Sequence, residues 1–276
     1  MPTAETNGVE TYYERHGSGQ ALVFVHGALL DHSQWAPQVT QLAADYDVIT
    51  YDARGHGRTG GSAVDTYSIE LFADDLRALV EALDLEAFVL CGHSLGGCIA
   101  QVYAASHPEA VAGVVLADTF GPTLHSRSEW LQRSLLLRMA VYPVRVLGYE
   151  RVERALVWLQ VRLHGSGVSG DYGAVRAVRG DGPRVTTAEF TKVARAVASF
   201  HETSVDLTRI TAPVLVLYGE REPSVLRAHA DTFEDEIPDV LRREVPDAGH
   251  AANLDNPEFF VDVVRSFAAT VPGQQH

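Results

Sequence analysis

Lysine is all but missing from this sequence: among its 22 basic residues only Lys192 is a lysine. The arginines that make up the rest are scattered along the chain, which reads as a coding bias and assigns no function. No apolar run approaches the ~20 residues needed to span a bilayer. The opening stretch MPTAETNGVE has neither the basic region nor the apolar core of a signal peptide. A cytoplasmic protein with no membrane partner is therefore expected. Cysteine is scarce as well. Cys91 and Cys98 flank a sharp turn and should fall on different elements, so two small buried packing residues are expected rather than a disulfide framework. An excess of positive charge is also lacking: 36 acidic against 22 basic residues give a formal net charge of −14. That balance argues against a nucleic-acid partner, which needs clustered lysine and arginine, and chiefly favours solubility. A phosphate-cradling G-x-x-x-x-G-K-[ST] loop is absent, and no close His/Cys cluster suggests zinc, so neither a nucleotide cofactor nor a metal is expected.

What is present is an ordinary globular composition, 46% hydrophobic and 21% charged over 276 residues, enough for one sizeable core. Short runs rich in Val, Ile and Leu recur at Ala21 to His26, Asp47 to Asp52, Ala87 to Gly92, Ala112 to Ala117 and Pro213 to Tyr218, with a last one at Leu241 to Val245. They read as buried strands. Val9 to Arg15 adds a possible outer strand. Between the strands lie helical spacings, clearest at Ser68 to Leu83, where Ile69, Phe72, Leu76, Leu79, Val80 and Leu83 share one face. Alternating strands and helices imply right-handed crossovers and an α/β fold: a mostly parallel central sheet with helices on both faces.

The alternation fails after about Gly121. Amphipathic pieces at Ser128 to Met139, Glu150 to Leu163, Asp171 to Arg179 and Thr187 to His201 replace the strands until the sheet resumes at Pro213. Residues 121–207 are expected to form a helical cap inserted into a core made of residues 1–120 and 208–276. Residues 121–205 carry twelve basic and seven acidic side chains, a net +5, which leaves −19 for the remainder. Such a basic cap on an acidic body fits electrostatic docking of the two, or attraction of an anionic or carbonyl-rich substrate.

Chemistry concentrates in a few loops. Leu90-Cys91-Gly92-His93-Ser94-Leu95-Gly96-Gly97 joins an apolar strand to a helical stretch and contains G-x-S-x-G. On such a turn a serine is held in a strained conformation with its hydroxyl exposed, flanking glycines avoid collisions, and the following helix aims its positive N-terminus at the same place. Ser94 is thus the candidate nucleophile. An oxyanion needs two fixed donors. The expected pair is the backbone N–H of Leu95 and that of Ala28, which follows the strand ending in His26-Gly27. His26 itself reads as a loop anchor. A serine hydroxyl also needs a base, and of twelve histidines His250 is best placed, on a loop between the last strand and a helix opened by Asn256-Pro257. His93 adjoins Ser94 on the turn itself, so its side chain should point elsewhere. Glu222 and Asp118 compete to orient the imidazole, each following a strand whose loop can reach it. Glu222 is favoured because it lies after the fifth buried run and before His250.

Taken together these residues resemble the α/β-hydrolase superfamily over nearly the whole chain. Asp52-Ala53-Arg54-Gly55-His56-Gly57-Arg58-Thr59 is similar to the family's D-x-R-G-x-G-x-S/T loop, and Asp247-Ala248-Gly249-His250 to its terminal G-H loop. The resemblance implies the α/β-hydrolase fold and a Ser-His-acid triad, as in serine-nucleophile, cap-bearing esterase- and lactonase-like members. Position 222 departs from it: most relatives with this Gly-x-x-acid pattern carry Asp there, and some take their acid from the position of Asp118. Serine at the elbow removes the dehalogenase and epoxide hydrolase chemistries, whose nucleophile is Asp.

The expectation is hydrolysis of a small ester or lactone through an acyl-enzyme on Ser94, with no cofactor. Carbon–carbon bond hydrolase, thioesterase and perhydrolase or haloperoxidase chemistry on the same fold are alternatives, as is a slow-turnover ligand sensor. Trp130, Met139, Tyr142 and Trp158 either line the substrate pocket from the cap or simply pack the cap onto the core.

Overall fold

The apolar strand runs of the sequence become strands covered on both faces. The structure, a computed structural model, describes residues 2–148 and 185–271, together with residues 151, 152, 154, 155, 158, 162, 173, 177 and 178. Eight strands form one sheet: β1 (Thr3–Thr6), β2 (Val9–His16), β3 (Ala21–Val25), β4 (Asp47–Tyr51), β5 (Phe88–His93), β6 (Val111–Ala117), β7 (Val214–Gly219) and β8 (Val240–Val245). Their order is β1-β2-β4-β3-β5-β6-β7-β8. The first two pairings, β1 with β2 and β2 with β4, are antiparallel, and every later pairing is parallel. Every residue of β3, β4, β5 and β6 is buried. Alternate residues of these strands feed two separate cores. Val23, Val25, Leu90, Val114 and Leu116 pack on one side with the helices α2 (Ile69–Ala82) and α3 (Leu95–Ser106). Leu22, Phe24, Val89, Val115 and Leu217 pack on the other with α1 (Ala36–Leu42) and the C-terminal helix. This is why the strands read as unbroken apolar runs rather than as alternating ones. The edge strand β8 differs: Arg242, Arg243 and Glu244 lie on it, a charged edge that discourages pairing with another chain.

Helix starts follow local chemistry. Ser68 accepts a hydrogen bond from the Leu71 N–H at the start of α2, and Asn256 accepts one from Phe259 N–H before the proline-led terminal helix. Between β6 and β7 the described residues hold helices and no strand. These are α4 (Arg127–Trp130), a π-helical turn (Leu131–Leu136), α5 (Leu137–Leu147) and α6 (Thr187–Ala198). The first three run on without a break, so the helix expected to end at Met139 continues to Leu147. The expected helices at Glu150 to Leu163 and Asp171 to Arg179 lie largely outside the described residues. After β7 come α7 (Ser224–Glu236), α8 (Ala252–Asp255) and α9 (Pro257–Ala268). Among the elements that went unanticipated are β1 and α7. The first is a short polar edge strand. The second buries only His229, Ala230 and Phe233, too thin a stripe to stand out in a helical pattern.

Two polar clusters, centred on the buried Glu129 and Glu189, tie the helical segment to α7 and to the loop before α2. Glu129 Oε1 accepts from His229 Nε2 on α7 at 2.8 Å and from Arg133 Nη1 at 3.0 Å, and its Oε2 accepts from the His125 N–H at 2.8 Å. At the other end Glu189 of α6 accepts from the Tyr67 hydroxyl and from Lys192, whose ammonium also donates to the Ser62 carbonyl at 2.8 Å. Cys91 and Cys98 are free and buried, as expected. No helix among the described residues is long and apolar enough to cross a membrane.

The loop after β4 is held by a buried ion pair. Arg54, 2% exposed, donates from Nε and Nη2 to Asp75 of α2 at 2.8 and 2.6 Å, and to the Asn7 carbonyl at 2.8 Å. Removing one partner leaves a buried charge with no counterion. Asp75→Ala is therefore expected to lower the unfolding free energy in urea by about 3–5 kcal/mol. A loss below 1 kcal/mol, roughly the worth of an exposed pair, would show that the arginine finds water instead.

Candidate active site

Ser94 sits between β5 and α3 with φ 51° and ψ −111°, in a region that side chains other than glycine rarely adopt. Its surroundings fix it there. Its N–H donates to the Ala117 carbonyl at 2.9 Å, and its own carbonyl accepts from the Thr119 hydroxyl at 2.6 Å. The two flanking glycines are needed for space. A Cβ on Gly92 would lie 2.2 Å from the Gly96 carbonyl oxygen, and one on Gly96 would lie 2.1 Å from the Val25 carbonyl oxygen. The reversal is tight enough that only hydrogen fits where the chain crosses itself and the neighbouring strand.

The imidazole expected to reach Ser94 does so. His250 Nε2 accepts from Ser94 Oγ at 3.2 Å, and Nδ1–H donates to Glu222 Oε1 at 2.7 Å. The Glu222 side chain is fully buried while that of His250 is 35% exposed. A carboxylate on Nδ1 selects the tautomer whose Nε2 lone pair faces the serine, the form that can take a proton. Burial opposes charge on His250, yet the Glu222 carboxylate, reinforced by Asp118 behind it, holds the imidazole above its ordinary pKa.

Asp118, the competing acid, touches neither Ser94 nor the His250 ring by a hydrogen bond. It lies buried at positive φ. Its Oδ1 accepts from the Gly219 N–H and its Oδ2 from the Ala252 N–H, each at 3.0 Å. It therefore ties the loop carrying Glu222 to the loop carrying His250. Burial and the nearby Glu222 charge push its pKa up. Both carboxylates reach this corner because β6 and β7 are paired neighbours ending side by side.

Leu95 begins α3, so its N–H is one of the donors a helix cannot satisfy from within. The loop with Ala28 leaves β3, which pairs with β5 through Val25 and Gly92. That loop is pinned. The Gly27 N–H donates to Gln34 Oε1 at 2.9 Å, the Leu30 N–H to the Gly27 carbonyl at 3.2 Å, and His26 Nδ1 to the same carbonyl at 2.8 Å. His26 Nε2 accepts from the Ala53 N–H at 3.0 Å, the loop-anchoring role expected of it.

Several supporting residues were not foreseen. His93 was expected to point away from the site, and its ring does leave Ser94 free. Its Nε2–H donates to the His250 carbonyl at 2.7 Å and so holds the backbone of His250. Burial and the proximity of His250 push His93 down to about 3, so it stays a neutral donor. Asn253 bridges the same loop to α1 and the turn before it: Gln38 Nε2 donates to its carbonyl at 2.7 Å, and its own amide donates to the Gln34 carbonyl at 3.2 Å. Trp130, Met139, Tyr142 and Trp158 are all exposed, between 45% and 69%.

Residues 20–257 match the family described as the alpha/beta hydrolase fold. The chain belongs to this family. Within the α/β hydrolases it is 26% identical to the putative carbamate hydrolase RutD of Pseudomonas syringae pv. syringae, over 94% of this chain and 97% of that one. It is 23% identical to 3-oxoadipate enol-lactonase 1 of Acinetobacter baylyi, covering 91% and 89%. A thermophilic esterase from Thermogutta terrifontis superposes with a TM-score of 0.75 at 27% identity, over 97% of this chain and 96% of that one. The chain is an α/β hydrolase.

The two carboxylates make opposite forecasts. Glu222→Gln keeps the shape but removes the charge on Nδ1, so hydrolytic turnover should fall by about 10³–10⁴. Because that charge favours the imidazolium, its removal should also move the acid-side midpoint of kcat/KM to lower pH. Asp118→Asn turns an amide N–H toward one of two backbone N–H groups. It should cost about 1–3 kcal/mol of stability in urea while lowering turnover less than Glu222→Gln does. Equal rate losses in both variants would mean that the acid is shared.

Proposed function

We propose that this α/β hydrolase cleaves a small ester or lactone through an acyl-enzyme on Ser94. The observation that carries the reading is the continuous chain from Ser94 Oγ through His250 to Glu222, with separations of 3.2 and 2.7 Å. In the forward step the Ser94 oxygen adds to the substrate carbonyl as its proton passes to His250 Nε2. The negative charge that develops on the carbonyl oxygen is met by the amide N–H groups of Ala28 and Leu95 and by the N-terminus of α3. His250 then gives its proton to the leaving alkoxide, which departs as an alcohol, or stays attached as the ring-opened hydroxyl of a lactone. Water, deprotonated by the same imidazole, hydrolyses the acyl-serine and restores the enzyme. No step draws on a metal or an organic cofactor.

Support for the substrate class comes from the kinds of reaction named for the relatives, an enol-lactonase, an esterase and a putative carbamate hydrolase. All involve attack at a carbonyl bearing a heteroatom leaving group. In the same reading residues 121–207 act as a cap over a core of residues 1–120 and 208–276. The exposed side chains of Trp130, Met139, Tyr142 and Trp158 offer apolar surface to a substrate. A cytoplasmic location belongs to this reading too.

A fluorophosphonate probe should label the wild-type chain once, and peptide mass mapping should put the label on Ser94. Ser94→Ala should abolish labelling and reduce ester and lactone turnover by about 10⁴-fold or more. Labelling elsewhere, or turnover surviving in that variant, would remove the proposal. Assaying ester, lactone, thioester and 1,3-diketone substrates with the same enzyme sample would rank the candidate leaving groups.

A further inference from the structure

The helical segment between β6 and β7 has two unlike faces. On α5, Val141 and Val144 are buried with Phe190 and Ala194 of α6, and Leu29 packs against the same cluster. That face is accounted for. The opposite face is apolar and open: Met139, Tyr142 and Val146, spaced to share one side of the helix, are exposed, Tyr142 at 69% and Val146 at 82%. Leu131 and Leu135 extend the exposed apolar surface along the preceding π-helical turn. Single exposed apolar residues are normal, whereas five in a row along one helical run mark a contact surface.

Charge says what that contact is. Arg138 and Arg145 are seven residues apart, two helical turns, and so form a row beside the apolar stripe. Both are exposed. Arg138 is paired with Glu202 at 2.9 Å, but both side chains stand in solvent, where such a pair is readily exchanged for another anion. On a larger scale residues 121–205 carry a net +5 and the rest of the chain −19. An anionic surface would therefore attract this segment and repel the body. The body's repulsion is screened once it stands farther off than about 10 Å, the Debye length at moderate salt. An apolar stripe flanked by arginine, with an aromatic ring at its middle, matches a helix lying in the headgroup layer of a lipid surface. It does not match a spanning helix, since no helix among the described residues is long and apolar enough to cross a membrane.

We infer that the α5 face docks onto an anionic lipid surface, seating Leu135, Met139, Tyr142 and Val146 among the acyl chains and Arg138 and Arg145 against the lipid phosphates. The site of docking is the segment between β6 and β7, so an apolar ester dissolved in the lipid would be met by the side of the molecule that the proposed function assigns to substrate. The docking itself does not rest on that reading, because it is measured without turnover.

The test is flotation of the full-length chain with vesicles of phosphatidylcholine alone and of phosphatidylcholine mixed with phosphatidylglycerol, using the Ser94→Ala variant in parallel. Binding to the mixed vesicles should exceed binding to the neutral ones by at least tenfold and weaken as salt is raised. Ser94→Ala should bind like wild type. Leu135→Glu with Val146→Glu should reduce partitioning at least tenfold, and Arg138→Glu with Arg145→Glu should abolish the preference for the anionic vesicles. Thermal unfolding checks that each variant is folded. Should the double substitution unfold the chain, the single variant Val146→Glu, at the most exposed position, is read instead. Binding to neither vesicle, or equally to both, overturns the inference. So does a lipid-free dimer that the Leu135 and Val146 variants dissociate, since the face would then be covered by a second copy. Protection of Leu135 and Tyr142 from hydroxyl-radical labelling in the lipid-free monomer also overturns it, since another part of the chain would then cover them.

Discussion

A single backbone reversal at Ser94 governs the geometry of the candidate site. With φ at 51° the chain leaves β5 and turns at once into α3, so the serine hydroxyl stands beyond the sheet edge while the helix N-terminus lies beneath it. Such a conformation costs of order 1–3 kcal/mol and persists only where its neighbours over-determine it. Those neighbours are the Ala117 carbonyl, the Thr119 hydroxyl and two glycines, and they also fix what surrounds the serine. Gly96 must lie against the carbonyl of Val25, which brings the strand leading to Ala28 hard against the first turn of α3. One strained residue thus sets both the position of the serine oxygen and the spacing of the two amide-bearing segments.

The opposite wall of the site is built from loops rather than from strain. His250 belongs to no regular element, yet its loop is fastened at three points. His93 holds its carbonyl, Asp118 holds the Ala252 N–H, and Asn253 is locked to Gln34 and Gln38. The fastenings at Ala252 and Asn253 are buried, where a hydrogen bond left unmade is expensive. A mobile imidazole would sample many distances from Ser94, whereas this one is carried on a backbone tied on both sides of it.

Much of this was legible from the amino acids alone, for a physical reason. Buried parallel strands cannot alternate, so β3 to β7 stand out as apolar runs, and a strand-turn-helix with crowded glycines marks Ser94 without reference to anything distant. The choice between Glu222 and Asp118 was not legible to the same degree. Both follow adjacent strands, and only the three-dimensional path of the loops puts Glu222 on Nδ1 and Asp118 on two backbone amides. The clamp formed by His93 was hidden because its partner is a main-chain carbonyl 157 residues away, and sequence leaves no mark of such a bond. The polar edge strand β1 and the thinly buried α7 escaped notice because their periodicity is weak, not because it is misleading.

The solitary lysine has a practical corollary. Lys192 lies in the contact between α6 and the loop before α2, its ammonium on Glu189 and on the Ser62 carbonyl and close to the face of the Tyr67 ring. Coupling this protein to an amine-reactive resin or dye therefore offers no harmless surface lysine: the one ε-amino group in the chain is a tether, and acylating it would neutralise the cation that holds α6 to its loop.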